Sequence, residues 1–150
     1  MIEITSIGQM EALVGQEIGT SDWLKIDQGM INAFAAATGD HQWIHVDTSR
    51  AAASAFGTTI VHGFFLLSLL PRLKAQLVEF KLAAMAINYG SEKIRFLAPV
   101  SVNARVRLKT KLLKIEEGSS GIKLFTKNNL ELEGSEKDAL VAETITLLVA

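Results

Sequence analysis

The chain has 150 residues, 49% of them apolar, with 15 Lys and Arg set against 16 Asp and Glu, and no cysteine. This is enough apolar material for one packed domain, and too much for a disordered chain. The near-zero net charge argues against a phosphate-binding nucleic-acid surface, and the lack of cysteine excludes disulfides, thiolate nucleophiles and cysteine-based zinc sites.

No repeat or low-complexity linker divides residues 1–150, which read as a single domain. Met1-Ile2-Glu3-Ile4 has no basic segment followed by an apolar one, so no signal peptide is expected and the cytoplasm is the default location. Thr5–Val14 reads as a weak helix, with Gly15 and Gly19 after it. Trp23-Leu24-Lys25-Ile26 reads as a short strand. Asp27 can cap the next helix by accepting from free backbone N–H groups. Met30, Ile31, Phe34 and Ala37 recur at helical spacing and predict its buried face. Gly39 fits its end, where a left-handed residue costs little, so Asp40 opens a loop.

A short helix follows Asp47 through the alanines at 51–53, and Gly57 ends it. A third helix is expected from about His62 to Phe80. Its first half is apolar almost all round (Phe64, Phe65, Leu66, Leu67, Leu69, Leu70), the pattern of a helix buried on most sides. Pro71 should kink or break it. Leu73, Leu77 and Val78 continue an apolar face, with Arg72, Lys74 and Glu79 reaching water. The apolar run Phe64–Leu70 is far shorter than the ~20 residues of a membrane span, so no membrane role is expected.

Beyond this helix the period becomes two. Val102, Ala104, Val106 and Leu108 alternate with Asn103, Arg105, Arg107 and Lys109. Ile122, Leu124, Thr126, Leu130 and Leu132 continue the alternation, and Leu140–Val149 reads as a last strand. The segments 117–121 and 134–138 suit antiparallel hairpin turns. A long one-faced antiparallel sheet needs a cover, and the apolar helix after His62 supplies it. The expected class is α+β, a curved antiparallel sheet wrapped around a long central helix. Such a sheet has open edges, and edge-to-edge pairing in a homodimer is the expected remedy. The basic residues between Lys93 and Lys114 read as a solvated strand face, with a secondary reading as a landing strip for an anionic cofactor tail.

Asp40 and His45 place a carboxylate and an imidazole five residues apart, just past a helix end. Each alone has a bland reading, as a cap or a satisfied loop histidine. Together they can hold one water between two proton-transfer groups near neutral pH. Gly63 falls where the central helix begins. Its N–H can meet negative charge on a carbonyl oxygen, although a packing glycine is the equal alternative. His62 reads as a cap or a second polar group beside the site, with a structural role preferred. Asp40, His41, His45 and Asp47 raise a metal reading, but regular helix is doubtful between Gly39 and Trp43 and only His62 could add a ligand, so no metal is expected. No Gly-x-Ser-x-Gly elbow supports serine acyl transfer.

Thr38-Gly39-Asp40-x-x-x-x-His45 within Phe34–Ala51, then Phe56–Gly63 with Ile60-Val61-His62-Gly63, then Lys93–Val100, resemble in order and spacing the MaoC-like (R)-specific enoyl-CoA hydratases. Gln42-Trp43 stands where that family usually has Asn-Pro, which resembles the NodN-type branch. The resemblance implies a hot-dog fold. It implies reversible syn addition of water to a trans-2-enoyl-CoA, giving the (R)-3-hydroxyacyl-CoA. Asp40 and His45 match the catalytic pair and Gly63 the glycine that stabilises the thioester oxygen. Gln42 and His62 are grouped with Gly63 as polar residues around the substrate. The acyl group arrives on CoA or acyl carrier protein, and no cofactor beyond the substrate's own CoA is implied. A hot-dog thioesterase and a non-catalytic acyl-thioester binding module are the rival expectations.

Overall fold

A computed structural model describes all of residues 1–150. Strand β1 (Ile2–Ile4) leads into helix α1 (Ile7–Leu13), whose Ser6 cap accepts from the Gln9 N–H. Two short strands follow, β2 (Glu17–Thr20) and β3 (Leu24–Lys25). Helix α2 (Gln28–Thr38) is capped by Asp27, which accepts from the Met30 N–H at 2.9 Å. It ends at Gly39, with φ 78°, where the N–H closes onto the Ala35 carbonyl. That left-handed residue turns the chain outward and places Asp40 in a loop, as its spacing predicts. The buried face of α2 is Ile31 and Ala35, with Met30 and Phe34 half-buried; Ala37 is exposed, which corrects its place in the predicted stripe.

One helical turn, α3 (Trp43–Val46), and a second short helix, α4 (Thr48–Ala52), carry the chain past His45. The expected long helix over 62–80 is two short ones, α5 (Gly63–Ser68) and α6 (Leu70–Lys74). Pro71 lies in the first turn of α6, where its missing N–H deprives the preceding turn of a bond. After Lys74 the bonds tighten to three-residue turns, and Val78–Phe80 is a strand, β4, parallel to β1. A further correction concerns Lys74. It is half-buried, and its Nζ turns to the sheet, donating to Thr126 Oγ1 at 2.8 Å and Thr144 Oγ1 at 3.3 Å.

Four long strands form the sheet: β5 (Met85–Phe96), β6 (Arg105–Gly118), β7 (Gly121–Leu132) and β8 (Leu140–Val149). With β2 and β3 they make six strands in the order β2-β6-β7-β8-β5, β3 also pairing with β6, and every pairing in this sheet is antiparallel. Residues 102–104 are not strand: Asn103 has φ 69° and turns the chain into β6. On one face Val106, Leu108 and Leu112 of β6 meet Leu124 and Leu130 of β7, and Leu66, Leu70 and Leu73 of α5 and α6 fill the same core. Much of the basic stretch on β6 is paired, Arg105 with Glu133, Arg107 with Glu131 and Lys109 with Glu17, in keeping with a solvated face. No helix is long and apolar enough to cross a membrane.

Candidate active site

Three stretches distant in sequence meet at the N-terminus of α5. The segment 59–62 is clamped from both sides. The Ile60 N–H donates to the Ile44 carbonyl, Val61 to Val100, and Val102 to the Thr59 carbonyl. This clamp sets His62 and Gly63 against the α3 turn that carries His45.

His45 is buried, with Nδ1 2.7 Å from the Ile60 carbonyl oxygen. A carbonyl only accepts, so Nδ1 carries the hydrogen and Nε2 presents a lone pair. Burial pulls the imidazole below its ordinary value of 6.5, the nearby His62 adds to that, and the Ile60 bond and Asp40 oppose it. His45 is therefore poised as a neutral acceptor. Its main chain is also held: Gln28 Nε2 on α2 donates to the His45 carbonyl at 2.8 Å, while Gln28 Oε1 accepts from Thr59 Oγ1 at 2.5 Å.

Asp40 is exposed, and its carboxylate accepts from the Gln42 N–H at 3.4 Å. An Asp40 carboxylate oxygen and one ring nitrogen each of His45 and His62 lie within 4.8 Å of one another. A single water with bonds of ~2.8 Å can bridge two such atoms. The two imidazoles stack, with centroids 3.8 Å apart and planes 23° apart. Ring nitrogens bind metals in the plane of the ring at ~2.1 Å, so two near-parallel planes at that separation do not converge on one ion. His41 and Asp47 take no part in the cluster.

Gly63 is the first residue of α5. Phe65 and Leu66 N–H bond the His62 carbonyl, which leaves the Gly63 N–H with no acceptor inside the helix. A β-carbon at Gly63 would lie 3.1 Å from the Phe96 ring, so the packing role is real and coexists with a free N–H. Because α5 is only six residues long, the local amide and not a long helix dipole is the donor.

A cavity of about 220 Å³ opens beside these groups, lined by His45, Val61, Gly63, Leu66, Phe96 and Val100 among others. The Lys93–Val100 stretch singled out in the sequence thus supplies its far wall. A larger groove of about 460 Å³ lies between Glu92, Lys114, Phe125 and Glu143. It has no imidazole and no free helix N–H, so the smaller cavity is the candidate. His62 stands outside that lining, stacked on His45. Gln42 meets Asp40 through its backbone, and its side chain makes no hydrogen bond. Gln28 is the participant that sequence reasoning missed. It is 17 residues from His45, and no local spacing marks it.

Residues 9–134 match the family model described as MaoC like domain. The chain is 50% identical over 146 residues to 3-hydroxyacyl-thioester dehydratase Z of Mycobacterium tuberculosis, covering 97% of each. It is 43% identical over 145 residues to Nodulation protein N of Rhizobium meliloti, covering 95% of this chain and 90% of the relative. Among solved structures it resembles the (R)-hydratase from A. caviae involved in PHA biosynthesis, with TM-score 0.73 and 26% identity, covering 90% of this chain and 96% of that one.

Proposed function

The chain belongs to the MaoC-like dehydratase family and has its hot-dog fold, and from that premise we propose that it is an (R)-specific enoyl-CoA hydratase, a hydro-lyase that also runs as a 3-hydroxyacyl dehydratase. One observation carries the reading. A neutral imidazole, His45, and the free Gly63 amide line one apolar cavity, and the Asp40 carboxylate lies within 4.8 Å of a His45 ring nitrogen.

In the hydration direction the thioester carbonyl accepts from the Gly63 N–H, which draws electron density from the α,β double bond. Asp40 and His45 Nε2 hold one water over the β-carbon. Its oxygen bonds to that carbon, its proton passes to the pair, and a proton is delivered to the α-carbon as the enolate charge collapses. Water is consumed whole. Dehydration is the same sequence reversed. No cofactor beyond the substrate's own CoA enters these steps. The acyl chain lies along Leu66 and Val100, delivered on CoA or on acyl carrier protein. We take residues 1–150 as one catalytic domain of a cytoplasmic protein and infer a homodimer, which the unpaired outer edge of β5 with its exposed Met85, Ile87, Tyr89 and Phe96 supports.

The test is loss of enoyl-thioester absorbance with crotonyl-CoA and a longer trans-2-enoyl-CoA, in wild type and Asp40→Asn. Asparagine keeps an acceptor for the Gln42 N–H and disturbs nothing buried. We expect kcat to fall by about a hundred- to ten-thousand-fold, with the circular dichroism spectrum unchanged. Full activity in the variant overturns the role of Asp40. Free thiol without loss of the double bond reassigns the chain as a thioesterase, and binding without turnover reassigns it as a binding module.

A further inference from the structure

His62 is a buried polar residue of the site to which the hydration step gives no task. It is 2% exposed. Its Nε2 lies 3.0 Å from the main-chain carbonyl oxygen of Asp40, so Nε2 carries the hydrogen. Nδ1 is then a bare lone pair, buried with no partner. Such orphans are rare in folded proteins and need a reason. A phenylalanine would fill the same space without one. A glutamine would offer an N–H without a ring. An imidazole supplies both a flat face and an N–H donor in a ring of this size.

Both features are used. The face lies on His45, 3.8 Å between centroids, and the ring also meets Phe34 at 4.9 Å, which in turn stacks on Phe65. The donor meets Asp40 where other restraints are long. The Asp40 N–H reaches Thr38 Oγ1 at 3.4 Å, and the carboxylate receives Gln42 N–H at 3.4 Å. The bond from His62 is the shortest made by Asp40. His45, held by Nδ1 alone, could swing about its bond to Ile60; the stacked ring opposes that.

We propose that His62 is a positioning residue for the hydratase step, tying the Asp40 main chain through Nε2–H and fixing the plane of His45 by stacking. This rests on the reading of Asp40 and His45 as the catalytic pair. The stack has an electrostatic consequence as well: His62 acts on His45 with the same sign as burial. His62 therefore favours a neutral His45. Asp40 is the other titratable group acting on His45, and it acts in the opposite direction.

Two variants separate the two duties. His62→Phe keeps a ring and loses the donor; His62→Gln keeps a donor of similar reach and loses the ring. With crotonyl-CoA, His62→Phe should lower kcat by about tenfold or more, with KM within about twofold of wild type. His62→Gln should lose less kcat, but the acid limb of its kcat/KM profile should move to higher pH. The His45 ring is titrated by NMR in the same proteins, a readout independent of turnover, and in His62→Gln its midpoint should rise. Should crotonyl-CoA prove no substrate, the NMR arm still decides whether His62 acts on His45. An unmoved His45 midpoint in folded His62→Gln overturns the proposal, as does unchanged kcat in folded His62→Phe. If His62→Phe does not fold, His62→Gln alone carries the test.

Discussion

His45 has one ring nitrogen committed and one free, and this makes its chemistry directional. Burial is the largest cause of its lowered proton affinity, His62 contributes the same sign, and the Ile60 carbonyl and Asp40 pull the other way without winning. As acceptor for a water proton, His45 works only when neutral. Activity governed by it is thus complete above its lowered pKa and lost as pH falls through it. The acid limb of kcat/KM, which reports the free enzyme, is expected below 6.5, measured from pH 4.5 to 8 in one ionic-strength-matched buffer series. A limb at or above 6.5 would show that a different group controls the step. At this scale the sequence was legible where chemistry is local. Asp40 and His45 share one loop, and a helix stop at Gly39 marks where that loop starts. Gln28 and the ring stack of His62 were not legible, because each depends on residues that only the tertiary fold brings together.

Between Ser68 and Phe80 the pattern of apolar residues suits a helix, but two backbone facts override it. Pro71 removes a donor, and Val78–Phe80 find a ladder on β1. Hydrophobic period alone cannot separate a buried helix from a short buried strand. The part of β5 before Lys93 was hidden for a related reason. Its pairing with β8 shifts register between Asn88 and Gly90 and again between Ser91 and Lys93, so the alternation of Met85, Ile87 and Tyr89 loses phase. Strands β6, β7 and β8 have long stretches of regular alternation and were legible. The shortened helix also explains Lys74. At the end of α6 its side chain lies over the sheet among Thr126, Thr144 and Asn128, with no carboxylate partner. Burial lowers its pKa from 10.5 to about 8. Between those values the unfolded chain binds more protons than the folded one, so stability rises with pH from about 8 to about 10.5 and the full cost is felt below 8. That difference corresponds to roughly 3 kcal/mol, less the two hydrogen bonds. Lys74→Met should therefore be more stable than wild type at pH 7 by about 1–2 kcal/mol, with the pH 8–10.5 rise abolished. Urea midpoints at pH 7 and pH 10 check this; a destabilised variant at pH 7 would show that the ammonium is better solvated than its surroundings indicate.

The sheet as a whole has two unlike edges. One is broken into β2 and β3, four and two residues long, and short interrupted strands are poor templates for association. The other is β5, twelve residues long and paired only on its β8 side. Met85, Ile87, Tyr89 and Phe96 are exposed along it, and Leu97 and Phe64 extend the patch. The Met85–Tyr89 half of this edge is apolar while Glu92, Lys93 and Arg95 charge the other half, and a two-fold axis would let the same edge of a second copy cover the apolar half, with each strand satisfying the other. Phe64 and Phe96 pack edge-to-face, and the Phe96 ring also lies against Gly63. The Phe96 end of this edge is therefore part of the wall of the cavity, and a second copy placed along the edge would also exclude water from the thioester end. The proposed dimer then makes a prediction that links assembly to turnover. Wild type should sediment at twice the mass of one chain. Ile87→Lys places a charge in the apolar half of the edge, far from any hydrogen bond of Asp40 or His45. It should sediment at the mass of one chain, with hydratase activity reduced by about tenfold or more as the cavity opens to solvent. Dilution of wild type should reduce specific activity in step with the dimer fraction. A wild-type protein fully active at the mass of one chain would remove both the dimer and its role in closing the site.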